Sequence, residues 1–291
     1  MQFLPNTLSR AAALTAGTVS LILALTGCTP DRPADTTPSP QATTGLPSAH
    51  VHGLAVTPQT SQILLATHVG LFDMTRKPAS KIGDTNDLMG FTTGKNGALY
   101  ASGHPGPGSE LPNPLGLIRS TDGGETWEHL SRQGDSDFHA ITTTKSGIVA
   151  FDGQLRTSPD GKTWDTATAG FTPAALAGHP DTDTVLATTP QGIQRSTTSG
   201  ATWKPVNPGP VIQFAAFADA LEAVGVAPDG TTYYSTDAGA SWTKKGTVDT
   251  EVLALTAHRD NNGKPKIWAA TGNGIIVSTD AGTTFQPADG R

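Results

Sequence analysis

From about residue 48 onward the chain repeats one pattern: a short apolar run, a polar turn rich in glycine, and another short apolar run. The clearest runs are 63–66, 98–101, 147–150, 184–187, 221–224 and 266–269, most of them ending on alanine. Runs this short, bounded by turn residues, predict strands and not helices. A polar phrase recurs between them. It stands first as Ser120-Thr121-Asp122-Gly123-Gly124-Glu125-Thr126-Trp127 and returns at 158–164, 196–203, 235–242 and 278–285. Its first serines lie 38, 38, 39 and 43 residues apart. A period of roughly 40 marks one supersecondary unit copied and stacked. Cutting residues 48–291 at that period gives six units of inner strand, second strand, third strand, polar phrase and outer strand. The first unit has Gly70-Leu71-Phe72-Asp73-Met74 but no phrase behind it. The predicted fold is all-β, a six-bladed β-propeller.

Within the phrase, serine and aspartate are suited to bonding the turn backbone, and glycine to a positive φ. The tryptophan then returns toward the core, where it hides a large apolar surface. This phrase resembles the Asp-box, or bacterial neuraminidase repeat, S-x-D-x-G-x-T-W. In families with that box the turn joins the third and outermost strands of a blade, away from the functional face. The resemblance therefore implies structural roles for Asp122, Asp160, Asp237 and Asp280 and for Trp127, Trp164, Trp203 and Trp242. Thr198 replaces the aspartate in the third copy. A turn tolerates that exchange; a catalytic acid would not.

Composition agrees with a turn-rich β domain: 33 Gly and 22 Pro accompany only 15% charged residues. The opening segment does not belong to that fold. Arg10 precedes an apolar run, 11–25, that is too short to span a bilayer as a typical helix. It ends in Leu25-Thr26-Gly27-Cys28, which resembles a bacterial lipobox. The resemblance implies a signal peptide over 1–27, cleavage before Cys28, and a diacylglyceryl group on its thiol. The chain would then be extracytoplasmic, held to the cell membrane through that lipid. Residues 28–47, rich in Pro, Thr and Asp, read as a flexible tether. Cys28 is the only cysteine, which excludes an intramolecular disulfide. Without residues 1–27 the chain keeps 18 basic and 25 acidic residues, net −7. That balance argues against a nucleic-acid partner, and a monomer is expected.

In a propeller the inner strands start, and the second strands end, on one face around the channel. We aligned the inner strands on Leu54, Phe91, Ile141, Leu176 and Leu255. Four residues before these anchors stand His50, Asp87, Asp137, Thr172 and Glu251; two before stand His52, Met89, His139, Ala174 and Leu253. The fifth unit, 211–214, does not align but reads as apolar there in either register. His68 and His104 reach the same face at the ends of second strands. Five of the eight histidines are thus expected at one mouth, with His129, His179 and His258 in solvent elsewhere. His50 and His52 fall on one side of a strand, about 7 Å apart, a spacing suited to chelation. His68, His104 or His139, with Asp87, Asp137 or Met89 nearby, would complete a site for Zn or Cu, and Met89 would tilt it toward Cu(I). The bland alternative is a wet channel whose polar residues bond one another. The 104–115 insertion, rich in Pro and Gly, reads as a functional loop over this mouth.

Chains with Asp-boxes include sialidases, which need an arginine triad, a tyrosine nucleophile with a glutamate, and an aspartic acid. Arg119, Arg156 and Arg195 fall toward the box ends of third strands, so no sialidase residue carries over. Two-carboxylate glycoside hydrolysis by Asp87, Asp137 or Glu251, with Asp152 as a further channel carboxylate, stays open. The segments 50–55, 87–91, 102–108, 111–117 and 136–140 resemble a group of bacterial lipoproteins labelled glycosylhydrolases. The expected function is a surface-anchored binding module for a metal, with a protein or glycan partner at the mouth; the alternative is a glycoside hydrolase.

Overall fold

The computed structural model describes residues 45–57 and 60–288. The signal peptide, Cys28 and most of the tether lie outside the described residues. Six four-stranded antiparallel sheets follow one another, each made of consecutive strands. Blade 1 holds β1 (Val51–Val56), β2 (Ile63–Thr67), β3 (Gly70–Asp73) and β4 (Ser80–Ile82). Blade 2 holds β5 (Asp87–Thr93), β6 (Leu99–His104), β7 (Leu117–Ser120) and β8 (Glu128–Ser131). Blade 3 holds β9 (Ala140–Thr144), β10 (Gly147–Phe151), β11 (Leu155–Ser158) and β12 (Asp165–Thr166). Blade 4 holds β13 (Ala175–Gly178), β14 (Val185–Thr189), β15 (Gly192–Ser196) and β16 (Lys204–Pro205). Blade 5 holds β17 (Phe214–Phe217), β18 (Ala223–Val226), β19 (Thr231–Ser235) and β20 (Thr243–Thr247). Blade 6 holds β21 (Val252–Arg259), β22 (Pro265–Thr271), β23 (Gly274–Ser278) and β24 (Gln286–Pro287). The protein is an all-β, six-bladed propeller, with a single 3-10 turn at Lys95–Gly97 among the described residues.

The boxes close the turns between third and fourth strands. Ser120 Oγ accepts the amide of Gly124 at 2.8 Å, and Asp122 accepts the amide and hydroxyl of Thr126 at 3.0 and 2.5 Å. The Thr126 hydroxyl bond, with the other donors, holds the Asp122 carboxyl down at about 2. Asp160, Asp237 and Asp280 make the equivalent bonds to Thr163, Ser241 and Thr284. Thr198 Oγ1 accepts the amide of Thr202 at 3.0 Å, so its hydroxyl replaces the carboxylate in the turn. The box glycine takes φ of +97° at Gly124, where a Cβ would lie 2.2 Å from Leu71. That close approach to the preceding blade needs glycine.

Each box aromatic wedges between its own blade and the one before. Trp127 packs on a cluster joining Leu71 and Ile82 of blade 1 to Leu99 and Ile118 of blade 2. Trp164 fills the seam of blades 2 and 3, Trp203 that of 3 and 4, and Trp242 that of 4 and 5. Phe285 does the same for 5 and 6. All five rings are half-buried, and each contributes on the order of 2 kcal/mol by burial. Blade 1 has no box. Its seam with blade 6 is filled instead by Trp268 from β22, with Phe72 and Met74 packed alongside. Among the described residues the ring therefore closes by side-chain packing, with no strand exchanged between blades.

Below the mouth an apolar ring encircles the channel. Leu54, Phe91, Ile141, Leu176, Ala215 and Leu255 line it, one from each inner strand. This corrects the fifth unit: its anchor is Ala215, which places the polar Gln213, and not an apolar residue, two positions before it. Ile212 of this unit is buried in the blade 4–5 core.

Candidate metal centre

Three imidazoles meet where blade 1 opens onto the channel. His50 precedes β1, His52 lies within it, and His68 follows β2. The β1–β2 register shifts between Val51 and Gly53, so His52 occupies a bulge. Bulges re-aim side chains, and here the result is a compact trio. Ring centroids lie 5.0 Å apart for His50–His52, 5.4 Å for His50–His68 and 4.3 Å for His52–His68. One nitrogen from each ring falls within 4.8 Å of the other two. Register shifts at Leu88/Gly90 and Val252/Ala254 put Met89 and Leu253 in equivalent bulges of β5 and β21.

Asp87 closes the trio from blade 2. It pairs in register with His104 across β5 and β6. The neighbouring Gly103 has φ +142°, and a Cβ there would stand 1.9 Å from the Asp87 carbonyl, so only glycine allows this approach. His68 Nδ1 donates to Asp87 Oδ2 at 2.8 Å. A carboxylate only accepts, so the neutral ring keeps its proton on Nδ1 and leaves Nε2 free as a ligand. This carboxylate–imidazole arrangement orients metal-binding histidines. His52 Nε2 lies 3.6 Å from Asp87 Oδ1. Both atoms are buried without a hydrogen-bond partner.

Burial, reinforced by His68, lowers the pKa of His52 from 6.5 to about 4, against the pull of Asp87. The His52–Asp87 contact is therefore no ion pair at neutral pH, and the ring is already in its ligating form. A histidine lowered on folding takes its proton in the unfolded chain first. Between pH 6.5 and about 4 falling pH favours unfolding, and above 6.5 the effect vanishes. We expect the metal-free chain to lose on the order of 2 kcal/mol over that window through His52. Denaturant melts at several pH values check it: His52→Gln should show the shallower decline, and parallel curves would contradict the assignment.

A second group stands on the same face, between blades 2 and 3. His104 Nε2 and His139 Nε2 lie 3.2 and 3.4 Å from the same atom, Asp137 Oδ2. His104 Nδ1 lies 2.7 Å from Oδ1 of Asn113, a residue of the 104–115 loop. His139 Nδ1 lies 3.2 Å from the Asp137 carbonyl. Four of the five mouth histidines are thus divided between two carboxylates, while His50 meets the rings of His52 and His68.

Other candidates lie apart. Glu251 is exposed in a recess lined by Gln213, Asp229 and Asp249. Asp152 is no free channel carboxylate: Arg156 Nε donates to it at 2.8 Å and Ser136 Oγ at 2.6 Å, which holds its carboxyl below the usual range against the effect of burial. Arg156 accordingly serves the mouth side of β11, not the box end. His179 and His258 are half-buried where exposure was expected, His258 stacking on Trp268 at 4.7 Å; His129 is exposed. Asn113 and Gln213 were not anticipated. The one signal for Asn113 was its place in the insertion opened by His104.

The BNR/Asp-box repeat family matches residues 118–129 and 233–244. No curated protein matches the chain by sequence. Among solved structures it is similar to U3-55K, with TM-score 0.55 and 11% identity over 82% of this chain and 81% of that one. Virginiamycin B lyase from Staphylococcus aureus gives 0.53 and 15% over 82% and 84%. An ancestral GH74 enzyme gives 0.52 and 14% over 79% of this chain and 36% of its own. At such identities the likeness concerns the fold alone. Boxes, blades and neighbours agree: the chain is a six-bladed β-propeller carrying BNR/Asp-box repeats.

Proposed function

We propose that this propeller is a binding module that takes up a transition-metal ion at the channel mouth through His50, His52 and His68. The observation that carries the reading is the convergence of three imidazole nitrogens within 4.8 Å, one of them buried without a hydrogen-bond partner. Neutral imidazoles suit Zn(II) or copper, and half-buried Met89, in the bulge of β5, is a soft donor that would favour Cu(I). The lipobox-like segment ending at Cys28 supports placing the module outside the cytoplasm on a lipid anchor. A partner protein or glycan would meet the same face, where Val69, Leu111 and Val211 are exposed. The hydrolase reading has no comparable support, since Asp87 and Asp137 are each engaged by histidines and Glu251 stands elsewhere.

Elemental analysis of the purified full chain, after Zn(II) or reduced copper loading and dialysis, tests this. At least one retained ion per chain is expected. Asp87→Asn, which still accepts from His68 but loses its charge, should weaken binding about 10- to 100-fold. A chain that retains no metal from either loading would overturn the reading.

A further inference from the structure

We infer that the mouth holds a second, separate metal site formed by His104, Asp137 and His139. The argument is one of protons. His139 Nδ1 faces the backbone carbonyl of Asp137 at 3.2 Å, and a carbonyl can only accept. The neutral ring therefore carries its proton on Nδ1 and turns a bare Nε2 toward Asp137 Oδ2, 3.4 Å away. His104 repeats the arrangement: Nδ1 donates to Asn113 Oδ1 at 2.7 Å and Nε2 stands 3.2 Å from the same carboxylate oxygen. Two bare nitrogens thus flank one carboxylate oxygen, with no proton between either of them and that oxygen. Such an array is repulsive unless a cation enters or both rings are protonated.

The spacings favour the cation. Metal–ligand bonds of about 2.0–2.1 Å at a tetrahedral ion place neighbouring donors about 3.3 Å apart, which the two nitrogen–oxygen spacings, 3.2 and 3.4 Å, match, while the two nitrogens stand farther from each other than the 4.8 Å within which the trio's donors fall. Asp137 Oδ1 is buried without a hydrogen-bond partner, a further oxygen available to the ion. The rings are 41% and 59% exposed, free to rotate onto a common ion. Two imidazoles and one carboxylate suit a divalent first-row cation and leave positions open to an outside ligand. Asn113 makes the 104–115 loop the support of this site, with no part in the His50–His52–His68 trio.

The site does not depend on that trio, and stoichiometry separates the two. The full chain should bind two equivalents of Zn(II) by calorimetry and elemental analysis. His50→Ala/His52→Ala should bind one, and adding His104→Ala/His139→Ala should abolish the remainder, with unchanged circular dichroism throughout. If the trio variant binds none, or if the added pair changes nothing, the second site does not exist. If the wild type's zinc instead survives loss of the trio and disappears with His104 and His139, this site stands and the proposed trio fails. Imidazole nitrogen spectra of the metal-free chain at pH 8 give an independent check. Protons on Nδ1 alone are expected, and both rings doubly protonated, or carrying the proton on Nε2, would remove the premise.

Discussion

Replacing His50 and His52 together by alanine is expected to lower Zn(II) affinity at the trio by about four orders of magnitude. Four-ligand structural zinc sites are worth roughly 10–16 kcal/mol, or about 3 kcal/mol per ligand. Two lost ligands therefore amount to about 10⁴-fold. His68 alone, 44% exposed, cannot hold an ion against water. The fold should tolerate the change, because His50 is exposed and His52 contributes a desolvated ring with one unpaired nitrogen. Competition with a chromophoric chelator measures the loss. An affinity within tenfold of wild type would remove His50 and His52 as ligands.

Phe138→Ala should be the most damaging single change to the fold near the mouth. The ring is fully buried, packs with Leu117, Ile141 and Ile148, and meets Trp164 with centroids 4.9 Å apart. Phenylalanine-to-alanine changes in such surroundings cost about 3–5 kcal/mol. Its amide also donates to buried Ser102 Oγ at 2.9 Å, tying blade 3 to blade 2. Asp137 and His139 flank Phe138 in the chain, so the same residue holds their backbone at the rim. Urea denaturation should show the full loss, with Phe138→Leu costing less than half of it. A change below about 1 kcal/mol would mean that the seam repacks around the void.

The blades were legible because each copy prints its own strands and box, and a turn's chemistry is local. Asp122 and Thr126 are four residues apart and bond each other; no distant residue is needed to read them. The mouth was legible only as columns. Alternation put His52 and Met89 in one column, and both occupy bulges, but an extra unpaired residue leaves no mark on a polar–apolar pattern. Which carboxylate holds which histidine depends on side-chain reach between blades, as with His68 and Asp87. The fifth blade misled because Ile212 looks like a strand residue, yet it fills the space left by Gly225, where a Cβ would lie 2.2 Å from its Cδ1. Asp152 misled because its partner Arg156 was assigned to the wrong end of a short strand.

Because every sheet is made of four consecutive strands, the hydrogen-bond ladders are indifferent to where the ring is cut. Relinking the chain at any loop between blades would preserve all six sheets, and duplicating or losing a whole blade would leave every remaining ladder intact. The mouth lacks that freedom. His68 and Asp87 come from different blades, as do His104 and Asp137, so both groups exist only while blades 1, 2 and 3 remain neighbours in that order. Selection acting on ring size would thus be confined to the opposite arc, blades 4 to 6.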